Sequence, residues 1–177
     1  AELGILFKTA ESMEITKSID TVVLDKTGTI TKGKPAVTDF IVHKEQDSNA
    51  LILLAASAEN NSEHPVAHAI TSFGKNLNLF LQESSSFEAI PGHGISSTVD
   101  SKDVIMGTRK ILFDRNIKLD SELDIAAAFE KDGKTVMYMA VNQVHVATIA
   151  IADQVKDSSK EAISKLHHMG IHVVMLT

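Results

Sequence analysis

Five consecutive residues, Asp25-Lys26-Thr27-Gly28-Thr29, combine the parts needed for nucleophilic chemistry on phosphorus. A carboxylate can attack a phosphoryl group and carry it as an acyl phosphate. Such a site needs turn N–H groups that hold phosphate oxygens, a nearby cation and a metal. Gly28 lets the backbone approach closely, and Lys26 supplies positive charge. Without context, Asp25 is also an ordinary strand-ending Asp that opens a turn. Ser62-Glu63-His64-Pro65 sets a His at a helix start, where capping or packing is the commoner role. His64 and His68 stand four apart, half of a zinc arrangement, but neither the neighbouring Glu nor a third ligand is evident. Pro91-Gly92-His93-Gly94 reads as a tight turn between strands with His93 in solvent. The absence of cysteine excludes disulfides, thiolate metal sites and a Cys nucleophile.

The element that must position Asp25 is the apolar run Thr21-Val22-Val23-Leu24. It predicts a strand buried on both faces, as in a parallel sheet, with Asp25 at the carboxyl end where ligands bind in open α/β sheets. Ile30 to Pro35 is a turn-rich link. Residues 36–43 read as a strand, and Asp47 or Ser48 caps a helix running from Asn49 to about Glu59. Pro65 opens a second helix to about Asn76 whose face is Val66, Ala69, Ile70 and Phe73, so a helical hairpin is expected. From Phe87 short strands and turns take over. A helix near Ser121 to Lys131 follows, then a hairpin of residues 135–141 and 144–152 across Asn142-Gln143. After Asp153, Ser158-Ser159-Lys160-Glu161 predicts a capping box for a helix that stops at Gly170. Ile171 to Leu176 is a last strand, and this β-α-β pattern predicts parallel strands with a right-handed crossover. Thr177 then falls at the sheet edge that carries Asp25.

Asp25-Lys26-Thr27-Gly28-Thr29 resembles the phosphorylation motif of P-type ATPases, within the wider haloacid dehalogenase-like group. Phosphatases of that group usually carry a second Asp two places after the nucleophile. Here Thr27 stands there and cannot act as a carboxylic acid–base, which favours a long-lived phosphoenzyme and a pump over a phosphatase. Ser62-Glu63-His64-Pro65 is similar to the nucleotide-domain signature of heavy-metal members. The resemblance implies that His64 orients ATP, and that Glu59, Gly92, Gly94 and Gly107 contact nucleotide. Thr108 stands where many members have Asn, and Asp153 to Lys156 resembles a hinge motif. Thr177 matches a hydroxyl that touches the transferred phosphate. The catalytic set so implied is Asp25, Lys26, Thr27 and Thr177, with Asp25 and the Thr27 carbonyl as part of a Mg²⁺ shell. A phosphate-binding Lys and an Asp-rich loop are expected beyond Thr177 in the family. Gly4 to Lys8 and Leu166 to Gly170 look most like copper-type members, which implies Cu(I) and a Cys-Pro-Cys triplet upstream.

The expectation is therefore an α/β chain: an incomplete haloacid dehalogenase-like parallel sheet with an inserted α+β nucleotide-binding domain on an antiparallel sheet. Residues 1–35 and 147–177 are assigned to the phosphorylation domain and 36–146 to the insertion. A net charge of −6 with no basic stripe excludes a nucleic-acid surface. No apolar run nears the roughly 20 residues of a membrane span, so a soluble portion on the cytoplasmic side of a membrane is expected. Its partners would be ATP, the membrane domain of the same protein and, bound elsewhere, the transported ion. The alternatives are a soluble phosphatase of the same group and a non-catalytic nucleotide-binding module.

Overall fold

The structure, a computed structural model, describes residues 6–43, 45–119 and 123–176. In chain order these form α1 (Ala10–Ile15), β1 (Thr21–Asp25), β2 (Thr31–Val42), α2 (Ser48–Ala58), α3 (Pro65–Asn76), β3 (Ser84–Ile90), β4 (Gly94–Val99), β5 (Lys102–Gly107), α4 (Arg109–Asp114), α5 (Leu123–Lys131), β6 (Thr135–Val141), β7 (Val144–Val155), α6 (Asp157–His168) and β8 (His172–Leu176). The chain divides into two compact units, residues 1–33 with 154–177, and residues 34–153. The sequence boundaries lay at 35/36 and 146/147. The second falls later in the structure because β7 continues unbroken past Val146. None of the described helices is long and apolar enough to cross a membrane.

In the first unit β1 and β8 form a two-stranded parallel sheet, with Val22 opposite Val173 and Asp25 opposite Leu176. Two expectations are corrected here. β1 alternates between exposed and half-buried residues, and Val23 is 54% exposed, so it is not buried on both faces. In this chain only two strands build the sheet, and Val174 and Leu176 share the open face with Val23. Secondly, β7 and β8 do not share a sheet. β7 pairs antiparallel with β6 as far as Ile151, because its alternating apolar residues complete the core of the other unit. Helix α6 starts at Asp157 with Lys156 as its cap and no capping side chain, so the expected capping box is absent. Ser159 instead turns inward and donates to the Ile30 carbonyl at 2.8 Å. Thr177 and Ser121 lie outside the described residues.

The second unit is a sheet in the order β2-β7-β6-β5-β4-β3, antiparallel from β7 to β3. Tight turns set its register. Asn142 and Gln143 both have positive φ (49° and 66°), as do Asp100 and Ser101, the geometry that matches strand twist. Asp47 caps α2 by accepting from the Asn49 N–H at 2.9 Å. α2 and α3 pack as the expected hairpin against one sheet face, where Ile70, Val99, Met106 and Met139 are all but fully buried. Their contact is close because the residues are small: a Cβ on Gly74 would sit 2.6 Å from that of Ala56. The other face is covered by α4, through Ile111 and Leu112, and by α5, through Ala126.

Candidate functional site

Asp25 ends β1 with an extended backbone (φ −65°, ψ 144°) and an exposed side chain. Thr27 (φ −78°, ψ 120°) and Gly28 (φ 78°, ψ −16°) then make a type II turn. Gly28 is required by its positive φ alone, since a Cβ there would meet nothing within 4 Å. The turn is fixed from inside and from the far end of the unit. Thr31 Oγ1 donates to the Lys26 carbonyl at 3.1 Å and accepts from the Gly28 N–H at 3.2 Å. The Gly28 N–H is thus engaged within the turn. Lys156 Nζ donates to the Gly28 carbonyl at 2.5 Å, and the Lys156 N–H donates to that of Ile30 at 2.9 Å. Lys156, read from the sequence as part of a hinge, therefore grips the loop that carries Asp25. The result is an exposed carboxylate at a strand tip on a braced turn, beside the half-buried Lys26.

The second unit contains a cavity of about 310 Å³, at the small end of the ligand-pocket range. Glu59, His64, Gly92, Gly94 and Gly107 all line it, with Ser62 and Thr108 beside them. Three chain segments converge: the link between α2 and α3, the β3–β4 turn, and the end of β5. His64 caps α3, its Nδ1 accepting from the Val66 N–H at 3.3 Å, so the neutral ring carries its proton on Nε2. Glu59, one residue past α2, is 3% exposed. Burial pushes its carboxyl up to about 7, against a weaker opposing hydrogen bond with Ser62.

The glycines divide into two kinds. Gly94 and Gly107 face each other across β4 and β5, and a Cβ on either would lie 2.0 Å from a carbonyl oxygen of the opposite strand. Their φ values, 146° and 157°, also exclude ordinary side chains. Their close approach sets one wall of the cavity. Gly92 has a positive φ (73°) but open space around it. His93, expected in solvent, is half-buried and lines the cavity, because the Thr108 N–H holds its carbonyl at 2.8 Å and draws the turn against β5. His68, His167 and His168 are exposed, and no cluster of three potential metal ligands occurs among the described residues.

Sequence reasoning missed the apolar walls, Ile90, Val136 and Met137 among them, and Thr135. These come from β3 and β6, where they read as ordinary strand residues. Only the sheet order brings them to the cavity.

The family described as haloacid dehalogenase-like hydrolase matches residues 19–177. The chain is 51% identical over its whole length to a copper-exporting P-type ATPase of Staphylococcus saprophyticus, of which it covers 22%. It thus spans about a fifth of that relative's length. Among solved structures it matches a zinc-transporting PIB-type ATPase in an E2.Pi state (TM-score 0.81, 30% identity, 90% of this chain and 26% of that one). It also matches the catalytic domain of the CPx-ATPase CopB-B (TM-score 0.66, 25% identity, 98% of this chain and 60% of that one). With a match that leaves out only its first 18 residues, the chain belongs to the haloacid dehalogenase-like hydrolase family.

Proposed function

We propose that this chain is the nucleotide-binding and phosphoryl-accepting portion of a P-type ATPase that exports copper, with Asp25 as the nucleophile. The observation that carries the reading is the convergence of Glu59, His64, Gly92, Gly94 and Gly107 on one cavity, in a chain that also presents Asp25 on a braced turn. The cavity walls are largely apolar and include no Lys or Arg among the described residues, which suits a base and sugar better than phosphates. The triphosphate of ATP would then run out of the cavity. A carboxylate oxygen of Asp25 attacks the γ-phosphorus, the bond to the β,γ-bridging oxygen breaks, and ADP leaves with that electron pair. Lys26 and the turn stabilise charge at the acceptor end. Asp25 and Thr27 offer the hard oxygen donors Mg²⁺ takes, one carboxylate and one carbonyl, and a bound Mg²⁺ would neutralise phosphate charge there. The acyl phosphate persists because Thr27 has no carboxyl to activate water. Thr177 is proposed as a phosphate contact on the sequence resemblance alone. The membrane domain of the whole protein, on whose cytoplasmic side this chain would sit, carries the ion path.

The test is phosphoenzyme formation by the full-length protein from Mg²⁺ and γ-labelled ATP. Wild type should form an acid-stable, hydroxylamine-labile label that depends on Cu(I). Asp25→Asn keeps the side-chain shape and removes the nucleophile, so labelling should vanish while nucleotide binding survives. Normal labelling of the Asn variant would overturn the assignment.

A further inference from the structure

A carboxyl group at the wall of an apolar cavity is unusual, and Glu59 has no cation to justify it. It is 3% exposed, and the described lining offers only two other titratable groups, His64 and His93. Other titratable residues of elements packed on α2 are His68 and Lys75 of α3, Glu88 of β3, and Lys102 and Asp103 of β5. None of these lines the cavity, and neither does Glu63 in the link between α2 and α3. A lone carboxylate in such surroundings loses its hydration without gaining a charge partner, so the neutral acid is favoured. Consistent with this, the proton is held up to about pH 7.

A neutral carboxyl differs chemically from a carboxylate. It has one O–H donor and one carbonyl acceptor side by side, whereas the ionised form only accepts. The Watson–Crick edge of a 6-aminopurine offers the matching pair, an acceptor at N1 and an N–H donor at N6. The corresponding edge of a 6-oxopurine such as guanine offers donors at N1 and N2, which a carboxylate satisfies. We propose that Glu59 reads the base as a neutral carboxylic acid, its O–H donating to N1 and its carbonyl accepting from the 6-amino group, so that adenine binding is linked to proton uptake. The proposal rests on the reading of this cavity as the nucleotide site. It makes Glu59 a specificity-determining residue and makes nucleotide affinity a function of pH.

The experiment is calorimetric titration of the chain with adenosine, which does not itself titrate near neutrality, and with ATP. Each is measured in two buffers of different ionisation enthalpy. With wild type, adenosine affinity should fall about tenfold between roughly pH 6.5 and pH 8, and the buffer dependence at the higher pH should show close to one proton taken up. Glu59→Gln carries an amide that donates to N1 and accepts from the 6-amino group at every pH. It should keep the low-pH affinity, lose the slope and take up no proton at that residue. His64 and His93 remain in both proteins, so their titration cancels in the comparison. Pairing of wild type and variant with equal slopes and equal proton uptake would overturn the proposal while leaving the nucleotide site intact. Absence of adenosine and ATP binding at every pH would overturn both the proposal and the reading beneath it.

Discussion

Burial of Glu59 has a consequence for folding that is separate from any ligand. Its folded carboxyl holds the proton up to about 7 against an ordinary value of 4.5. Below the ordinary value both states are protonated and the contribution to stability is full. As pH rises towards 7 the unfolded chain releases the proton first, so stability falls, by on the order of 3 kcal/mol in all. Urea titrations of the chain between about pH 4.5 and pH 8 should show that decline, and Glu59→Gln should flatten it and be the more stable protein at the upper end. The paired glycines make a second prediction. Gly94→Ala or Gly107→Ala drives a Cβ to 2.0 Å from a backbone oxygen and should cost about 3 kcal/mol or more. Gly92→Ala meets only a left-handed backbone with open space and should cost about 1 kcal/mol. Thermal unfolding of the three variants would rank them. Asp25, His64 and the glycines were legible in the sequence because each stands in a short, unusual run. The apolar walls were not, because Val136 and Met137 differ in no local way from core strand residues.

At the level of elements, the sequence showed β1, the α2–α3 hairpin and the β6–β7 hairpin through periodicity and turn chemistry. It misplaced what tertiary contacts decide. Ser158 and Ser159 look like a helix cap, yet Ser159 is buried and spends its hydroxyl on the Ile30 carbonyl. Helix α4 went unseen because its six residues are too few for a periodic pattern, and its two buried side chains, Ile111 and Leu112, are adjacent. The turn after Asp25 is itself an element supported from outside. Ser159→Ala leaves the Ile30 carbonyl without that donor in a buried setting and should cost roughly 1–2 kcal/mol. Because the loss falls beside the Lys26–Ile30 loop, amide exchange in that loop should rise in the variant, while exchange in β4 and β5 stays as in wild type. Equal exchange in the loop would show that Lys156 and Thr31 hold the turn without Ser159.

Across the whole molecule, burial is uneven. Among the described residues, Ile30 is the one buried apolar side chain of the unit that carries Asp25, and the remaining buried apolar side chains belong to residues 34–153. Hydrophobic burial is the main favourable contribution to folding, so the two units should differ sharply in local stability. Hydrogen exchange on this chain should find slow amides in β4 to β7 and fast ones in β1 and β8. Uniform protection would contradict that division. The sequence showed the chain leaving one unit and returning to it, since the antiparallel pattern interrupts an α/β one. The point of return was obscured because β7 reads equally well as the end of one pattern or the start of the next.

That interruption is closed by a single clasp: the Lys34 N–H donates to Asp153 Oδ1 at 2.9 Å, joining the first and last residues of the larger unit. In polymer terms, bringing together the ends of a free excursion of about 120 residues would cost roughly 3 kcal/mol more than closing one of about four, from the logarithmic growth of loop entropy. Once residues 34–153 have folded and the clasp is made, that difference is already met, and the smaller unit experiences the intervening chain as a short tether. The order of events during synthesis follows. The larger unit is contiguous and can fold when Asp153 has emerged, whereas β1 must wait for residues 172–176 to supply its partner. The strand that delivers Asp25 is thus among the first segments made and the last to be paired.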